Sequence, residues 1–178
     1  SEKEVFDLII SKGGKAIMTD PDLPSGTDRV FAAFSLIQNK EDYESIINLQ
    51  GDMPLINPKI IQSVNIPLKN GYDIGTLATN ITNNEEKNEN ITKVSIVWKE
   101  SAFLGESIDF YKSSKRQLKN VYQHVGIYSF KPDALKQFVS LPPSQNEIER
   151  KLEQLRALDA GVKIGITYIE NVAISVDT

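Results

Sequence analysis

Residues 45–58, SIINLQGDMPLINP, decide the fold. The first five of them form a short, mostly apolar run, which is typical of a strand buried on both faces. A turn over residues 50–54 follows, and Pro58 suits the first position of a helix. A buried strand that leads through a turn into a helix indicates an α/β protein.

The same alternation extends in both directions along the chain. Further strands are predicted over residues 15–18, 73–81, 92–98, 122–130, 163–170 and 172–176. Helices are predicted over residues 2–11, from Thr27 or Asp28 to Ile37, from Pro58, from Pro132, and over 147–160, where Gly161 follows as C-cap. Residues 82–90 are predicted as a loop, and residues 105–121 are only partly periodic. We expect an α/β fold with a mostly parallel sheet and a smaller antiparallel excursion in the second half.

The composition excludes several classes of protein. The 178 residues include no cysteine, which removes disulfides, thiolate zinc sites and cysteine nucleophiles. Twenty Lys and Arg against 24 Asp and Glu give a net charge of −4, which argues against broad nucleic-acid binding. No apolar run approaches the ~18 residues that span a bilayer, and the first ten residues lack a signal-peptide pattern. We expect a single cytoplasmic domain, residues 1–178, that acts on a small molecule.

Two carboxylates follow predicted strands that are far apart in the sequence. Asp52 lies in the turn after the first strand, and Asp177 follows the last one. Ligands of open α/β sheets bind outside the carboxyl ends of the strands, and Mg²⁺ prefers one or two carboxylates with phosphates and water. The two could converge on one magnesium ion. Alternatively, each caps a neighbouring helix or turn.

The segment SGTDR lies at a predicted junction between a loop and a helix, and comprises Ser25, Gly26, Thr27, Asp28 and Arg29. The backbone N–H groups and the positive dipole end of a helix N-terminus suit a nucleotide or phosphate. The other interpretation is a plain N-cap with a surface arginine. Spacing alone leaves both open.

The single histidine, His124, shares a predicted strand face with Tyr128. Four residues of strand separate them by about 13 Å, which is wide enough to bracket a sugar but too wide for a direct relay. A lone histidine is also often a satisfied core or surface group. Further along, Glu153 and Gln154 lie in the last predicted helix, where neighbouring side chains point about 100° apart. At most part of this pair can therefore face one ligand, and otherwise the two residues belong to the solvent-exposed face of the helix.

The chain resembles the 3-deoxy-manno-octulosonate cytidylyltransferase (CMP-Kdo synthetase) family. Five blocks occur in the order of that family: SGTDR (25–29), NLQGDMPLI (48–56), HVGIYSF (124–130), LEQLRAL (152–158) and ISVDT (174–178). Residues 105–113, GESIDFYKS, are similar to the family stretch G-x-A-L-Y-F-S-R-S. The resemblance implies a three-layer, Rossmann-like nucleotidyltransferase fold and a homodimer. It also implies the reaction CTP + Kdo → CMP-Kdo + pyrophosphate, a step of lipopolysaccharide synthesis.

The resemblance also implies a role for each matching residue. Asp52 and Asp177 match carboxylates that bind magnesium and carry the catalysis. The CTP site is matched by Ser25, Gly26, Thr27, Asp28, Arg29 and Gln50. The site of the sugar acid is matched by Lys112, His124, Tyr128, Glu153 and Gln154.

The chain departs from the family pattern in two respects. The family has a strand and an A-R-x-x-S-x-R-L-P loop ahead of the position of Ser1, and a helix after VDT. The chain is therefore expected to be incomplete at both ends, by roughly 30 residues or more at the first. Lys112 also stands where the family has an arginine, which keeps the charge but loses bidentate carboxylate recognition. Two alternatives follow: a cytidylyltransferase for another acidic sugar, or a non-catalytic binding or dimerisation domain.

Overall fold

A computed structural model of the chain describes residues 2–53, 55–100, 103–113 and 120–170. It has two compact units, Ser1–Tyr43 and Glu44–Thr178. The first unit contains helices α1 (Glu2–Ser11) and α2 (Gly26–Ser35) and a short 3-10 helix at Lys40–Asp42. The strand predicted over residues 15–18 is wrong, because no described segment in this unit pairs with it and an isolated strand has no ladder of hydrogen bonds.

The N-cap of α2 is Ser25, two or three residues earlier than predicted. Its Oγ accepts a hydrogen bond from the backbone N–H of Asp28 and donates one to the Asp28 carboxylate. Thr27 is instead buried within the first turn. The hydroxyl of Ser25 therefore supplies the partner that an exposed helix start needs.

The second unit contains six described strands and six described helices. The strands are β1 (Ile46–Asn48), β2 (Ile74–Thr79), β3 (Lys93–Trp98), β4 (Leu104–Tyr111), β5 (Val121–Phe130) and β6 (Ile164–Tyr168). The helices are α3 (Pro58–Ser63), α4 (Ile66–Lys69), α5 (Asn83–Glu86), α6 (Pro132–Ser140), α7 (Gln145–Arg150) and α8 (Leu155–Asp159). The strand predicted over residues 172–176 lies outside the described residues. Within the described ranges, every helix is too short or too polar to cross a membrane.

The sheet is mixed, so the expected mostly parallel arrangement is wrong. Its strand order is β1-β5-β2-β6-β4-β3, and β3 also pairs with β5. Among the described strands only β2 and β6 pair in parallel, while every other pairing is antiparallel. The difference arises because β5 inserts between β1 and β2 in the opposite direction, and because residues 104–111, where no strand was predicted, form β4. The α/β class itself is confirmed.

Strand β5 contains an irregularity that later shapes the site. Thr76 of β2 lies opposite Tyr128, but its neighbour Leu77 lies opposite Val125. Two residues of β5, Gly126 and Ile127, are therefore extra relative to β2. A bulge of this kind bends the strand and redirects its side chains.

The helix predicted over residues 147–160 is broken into α7 and α8. Lys151 ends α7 with a left-handed φ of 55°, and α8 begins only at Leu155. The apolar spacing that suggested one helix is misleading, because Ile148 is 66% exposed whereas Leu152 and Leu155 are buried. The turn between the two helices carries Glu153 and Gln154.

The turn after β1 is attached to the core of this unit. That core includes the buried residues Val64, Leu77, Val125, Ile127 and Ile169, and Met53 and Ile56 pack against it together with Ile47 and Ile60. Asp52 immediately precedes one of these anchors. Packing of the apolar residues that follow it thus holds the turn in place.

Candidate active site

The site lies where strands of one direction end. β1 and β2 are both antiparallel to β5, and β6 is parallel to β2, so the carboxyl ends of all three strands lie at one edge. Ligands of α/β sheets bind at such an edge. Gln50 and Asp52 follow β1 there, and Tyr128 of β5 lies opposite Asn48, the last residue of β1.

Asp52 has a feature that suits a cation. The carboxylate oxygen Oδ1 is buried and has no hydrogen-bond partner among the described residues. Buried polar atoms are nearly always paired, so an orphaned one needs a partner of another kind. A hard carboxylate oxygen fits Mg²⁺. Asp177 lies outside the described residues, within which no group of three His, Asp or Glu side chains is placed to hold a metal.

Gln50 is exposed at the same turn. Its side-chain Nε2 donates to Oδ1 of Asn48 at 3.3 Å, and its backbone carbonyl accepts from the N–H of Met53 at 3.4 Å. The side-chain amide of Gln50 therefore contacts the last residue of β1 and remains accessible from solvent. A ligand at the strand edge can reach it.

His124 and Tyr128 are in contact, which corrects the separation expected from an ideal strand. Their ring centroids lie 5.4 Å apart because the bulge in β5 bends the chain between them. Phe110 of β4 meets the imidazole edge-on at 5.1 Å. His124 and Tyr128 thus lie side by side and do not bracket a sugar-sized space between them.

Both of these rings are neutral near pH 7. Burial lowers the pKa of His124 to about 3, and burial together with the nearby charge of Glu153 raises the pKa of Tyr128 well above its usual value. A neutral imidazole and a phenol exchange hydrogen bonds with hydroxyl groups without a charged partner. That chemistry suits a polyhydroxylated ligand.

The structure brings Glu153 to this pair but leaves Lys112 separate from it. The influence of Glu153 on Tyr128 places its carboxylate near the phenol, and the adjacent Gln154 is 7% exposed. Lys112 follows β4 with an exposed side chain, and its carbonyl accepts a hydrogen bond from the buried Lys93 ammonium at 2.6 Å. No described contact joins its own ammonium to the histidine and tyrosine.

The residues from Ser25 to Arg29 belong to the first unit. Ser25 caps α2, and the Arg29 guanidinium donates to Oγ1 of Thr19 at 2.8 Å and to the carbonyls of Asp20 and Pro21. Each of these contacts fits the N-cap interpretation. The role of this segment in nucleotide binding stays a prediction.

Sequence reasoning missed Thr76, whose hydroxyl lies 3.0 Å from Nε2 of His124. A signal for it exists in the strand IGTLAT, where two threonines stand among apolar residues. A polar residue inside an otherwise apolar strand must find a hydrogen-bond partner. Only the fold identifies that partner as His124.

Comparisons with known proteins agree on one family. A family model described as "Cytidylyltransferase" matches residues 1–164. The 3-deoxy-manno-octulosonate cytidylyltransferase of Paramagnetospirillum magneticum is 41% identical over 181 residues, which cover 100% of this chain and 74% of that protein. The protein of the same name from Rickettsia rickettsii is 42% identical, over 99% of this chain and 72% of its own length.

A solved structure extends this agreement to three dimensions. The structure of CMP:2-keto-3-deoxy-manno-octonic acid synthetase complexed with CTP matches with a TM-score of 0.85 and 31% identity. The match covers 98% of this chain and 72% of the other. Both the sequence and the fold therefore place this chain in the 3-deoxy-manno-octulosonate cytidylyltransferase family.

Proposed function

We propose that the chain transfers CMP from CTP to 3-deoxy-manno-octulosonate (Kdo) and releases pyrophosphate, as a step in lipopolysaccharide synthesis. Membership of the family supports the reaction. The observation in the site that carries it is the pairing of neutral His124 and Tyr128 at the strand edge that also holds the orphaned carboxylate oxygen of Asp52. One half of this edge suits sugar hydroxyls and the other suits a cation with phosphates.

The reaction needs positioning and charge neutralisation more than a strong base. An oxygen of Kdo forms a bond to the α-phosphorus of CTP, the bond from that phosphorus to the pyrophosphate oxygen breaks, and the hydroxyl proton is released. Asp52 and Asp177 would hold Mg²⁺, which when bound neutralises charge on the phosphates. Gln50 and the segment from Ser25 to Arg29 bind the nucleotide in this scheme.

The sugar acid is bound by the second group of residues. His124 and Tyr128 exchange hydrogen bonds with its hydroxyls, and Gln154 adds an amide beside them. Glu153 accepts from a further hydroxyl, while Lys112 offers the carboxylate of the sugar a single positive charge. A lysine makes this contact as a point charge and not as the planar fork of an arginine.

The proposed reaction predicts Kdo-dependent release of pyrophosphate. Protein, CTP and Mg²⁺ are incubated with and without Kdo, and pyrophosphate is measured by a coupled assay. We expect release only when Kdo is present. CTP binding without release would favour another acidic sugar as the acceptor. Absence of both CTP binding and pyrophosphate release would favour a non-catalytic binding or dimerisation domain.

Replacing His124 by alanine is expected to weaken Kdo binding and to spare CTP. Loss of the ring removes about one neutral hydrogen bond, so KM for Kdo should rise about five- to tenfold. KM for CTP, measured in the same assay, serves as the internal control. An effect on CTP alone would contradict the role assigned to the histidine.

We further infer a homodimer in the cytoplasm, as the resemblance implies. The interface would involve residues 105–130, where Ile108 is 58% exposed on β4. Light scattering of the purified protein measures the oligomeric state.

A further inference from the structure

The hydroxyl of Thr76 lies at a junction of three polar groups. The residue is completely buried, and its Oγ1 is 2.7 Å from the carbonyl oxygen of Ile127 and 3.2 Å from that of Val125. On its other side Oγ1 is 3.0 Å from Nε2 of His124. Ile127 is one of the two extra residues of the bulge and Val125 flanks it, so the bulge contributes to this arrangement.

The proton positions follow from what each group is able to do. A carbonyl oxygen only accepts, so the single proton of the Thr76 hydroxyl points to Ile127 or Val125. The lone pairs of Oγ1 then remain for His124, which must donate from Nε2. A neutral imidazole carries one N–H, so a proton on Nε2 leaves Nδ1 with a lone pair.

The opposite side of the imidazole is available to a ligand. Nδ1 has no hydrogen bond to any described residue, and His124 as a whole residue is half-buried. Phe110 and Tyr128 contact the ring at centroid distances of 5.1 Å and 5.4 Å, which limits its rotation. The ring is thus restrained by packing on its faces and edges and by one hydrogen bond at Nε2.

We propose that Thr76 is a positioning residue that holds His124 as the Nε2–H tautomer, so that Nδ1 accepts a hydrogen bond from a hydroxyl of the sugar acid. The inference rests on the proposed function for the identity of the ligand. It specifies what His124 recognises: a donor group such as a hydroxyl, and not the carboxylate of the sugar. The positive partner of the sugar carboxylate would then be Lys112 or a cation elsewhere in the site.

The tautomer is measured directly, because His124 is the only histidine of the chain. In the ¹⁵N-histidine-labelled protein, a long-range ¹H–¹⁵N correlation spectrum distinguishes the protonated nitrogen from the bare one. We expect a protonated Nε2 and a bare Nδ1 in the wild type and in Thr76→Ser, which keeps the hydroxyl. Thr76→Val keeps the shape of the side chain and should give a mixture of tautomers. A protonated Nδ1 in the wild type overturns the proposal, and this spectrum needs no variant to fold.

A double-mutant cycle separates positioning from a merely structural role. Thr76→Val should raise KM for Kdo about fivefold and leave KM for CTP unchanged, while Thr76→Ser restores the wild-type value. In a His124→Ala background the same substitution should have no further effect, since the group it positions is gone. Additive effects in the two backgrounds would overturn the proposal. Absence of any Kdo-dependent turnover would instead count against the proposed function, and the tautomer would still be readable.

Discussion

Replacing Asp52 by alanine is expected to lower turnover by a factor of about 100 to 1,000 without weakening the fold. In the proposed reaction Asp52 would hold a cation at the reacting phosphates, and electrostatic contributions of this kind are typically that large. The fold is spared because Oδ1 has no hydrogen-bond partner among the described residues. An unpaired buried polar atom carries its desolvation penalty without a compensating hydrogen bond, so its removal breaks no hydrogen bond.

Two measurements on the same protein test this combination. Pyrophosphate release is followed against Mg²⁺ concentration, and the thermal midpoint is determined without added metal. Asp73→Ala is the matched control, because Asp73 is an exposed aspartate whose ion pair with Lys131 lies at the protein surface. It should change neither quantity by much. Full activity of Asp52→Ala would contradict the assignment of Asp52 to a metal site. The variant Asp177→Ala is expected to lose activity as Asp52→Ala does.

Replacing Glu147 by glutamine should cost about 3–5 kcal/mol of unfolding free energy. The Glu147 carboxylate accepts from Nε of Arg156 at 2.8 Å and from Nη2 of the same guanidinium at 2.6 Å, and both side chains are nearly buried. Glutamine has the same shape and keeps an oxygen for the capping box with Ser144, but it removes the negative charge that pairs with the guanidinium. Breaking one side of a buried ion pair is costly because the remaining charge stays desolvated.

The matching control is Glu149→Gln on the same helix. Glu149 is exposed and accepts from Nε2 of Gln145, so its replacement should change stability by less than about 0.5 kcal/mol. Urea denaturation of the two variants gives the comparison. A second variant, Glu147→Gln combined with Arg156→Met, should recover most of the loss because no unpaired charge remains. Equal stability of Glu147→Gln and Glu149→Gln would contradict the assigned role of the pair.

The local elements of the fold were predictable because their causes lie within a few residues. Pro58 and Pro132 occupy first helical turns as expected, and the apolar runs at residues 46–48 and 74–79 form strands. The helix predicted over residues 147–160 failed for a different reason. The spacing of apolar residues carries no information about the ion pair between Glu147 and Arg156. That pair joins α7 to α8 across the left-handed turn at Lys151. Strand direction failed similarly, since it depends on which distant segment pairs with which.

The sequence by itself determined which chemical groups we propose for the site: a carboxylate after β1, a single histidine, a tyrosine and an acid–amide pair in motifs of one family. Only the tertiary structure decided how these groups meet. The bulge between β2 and β5 brings His124 and Tyr128 to 5.4 Å instead of the spacing of a straight strand, and it places Thr76 on the histidine. Burial of Oδ1 of Asp52 likewise depends on packing around the turn. The distances between side chains, the positions of protons and the absence of a hydrogen-bond partner are set by contacts between residues far apart in the chain. A local sequence pattern does not contain these contacts.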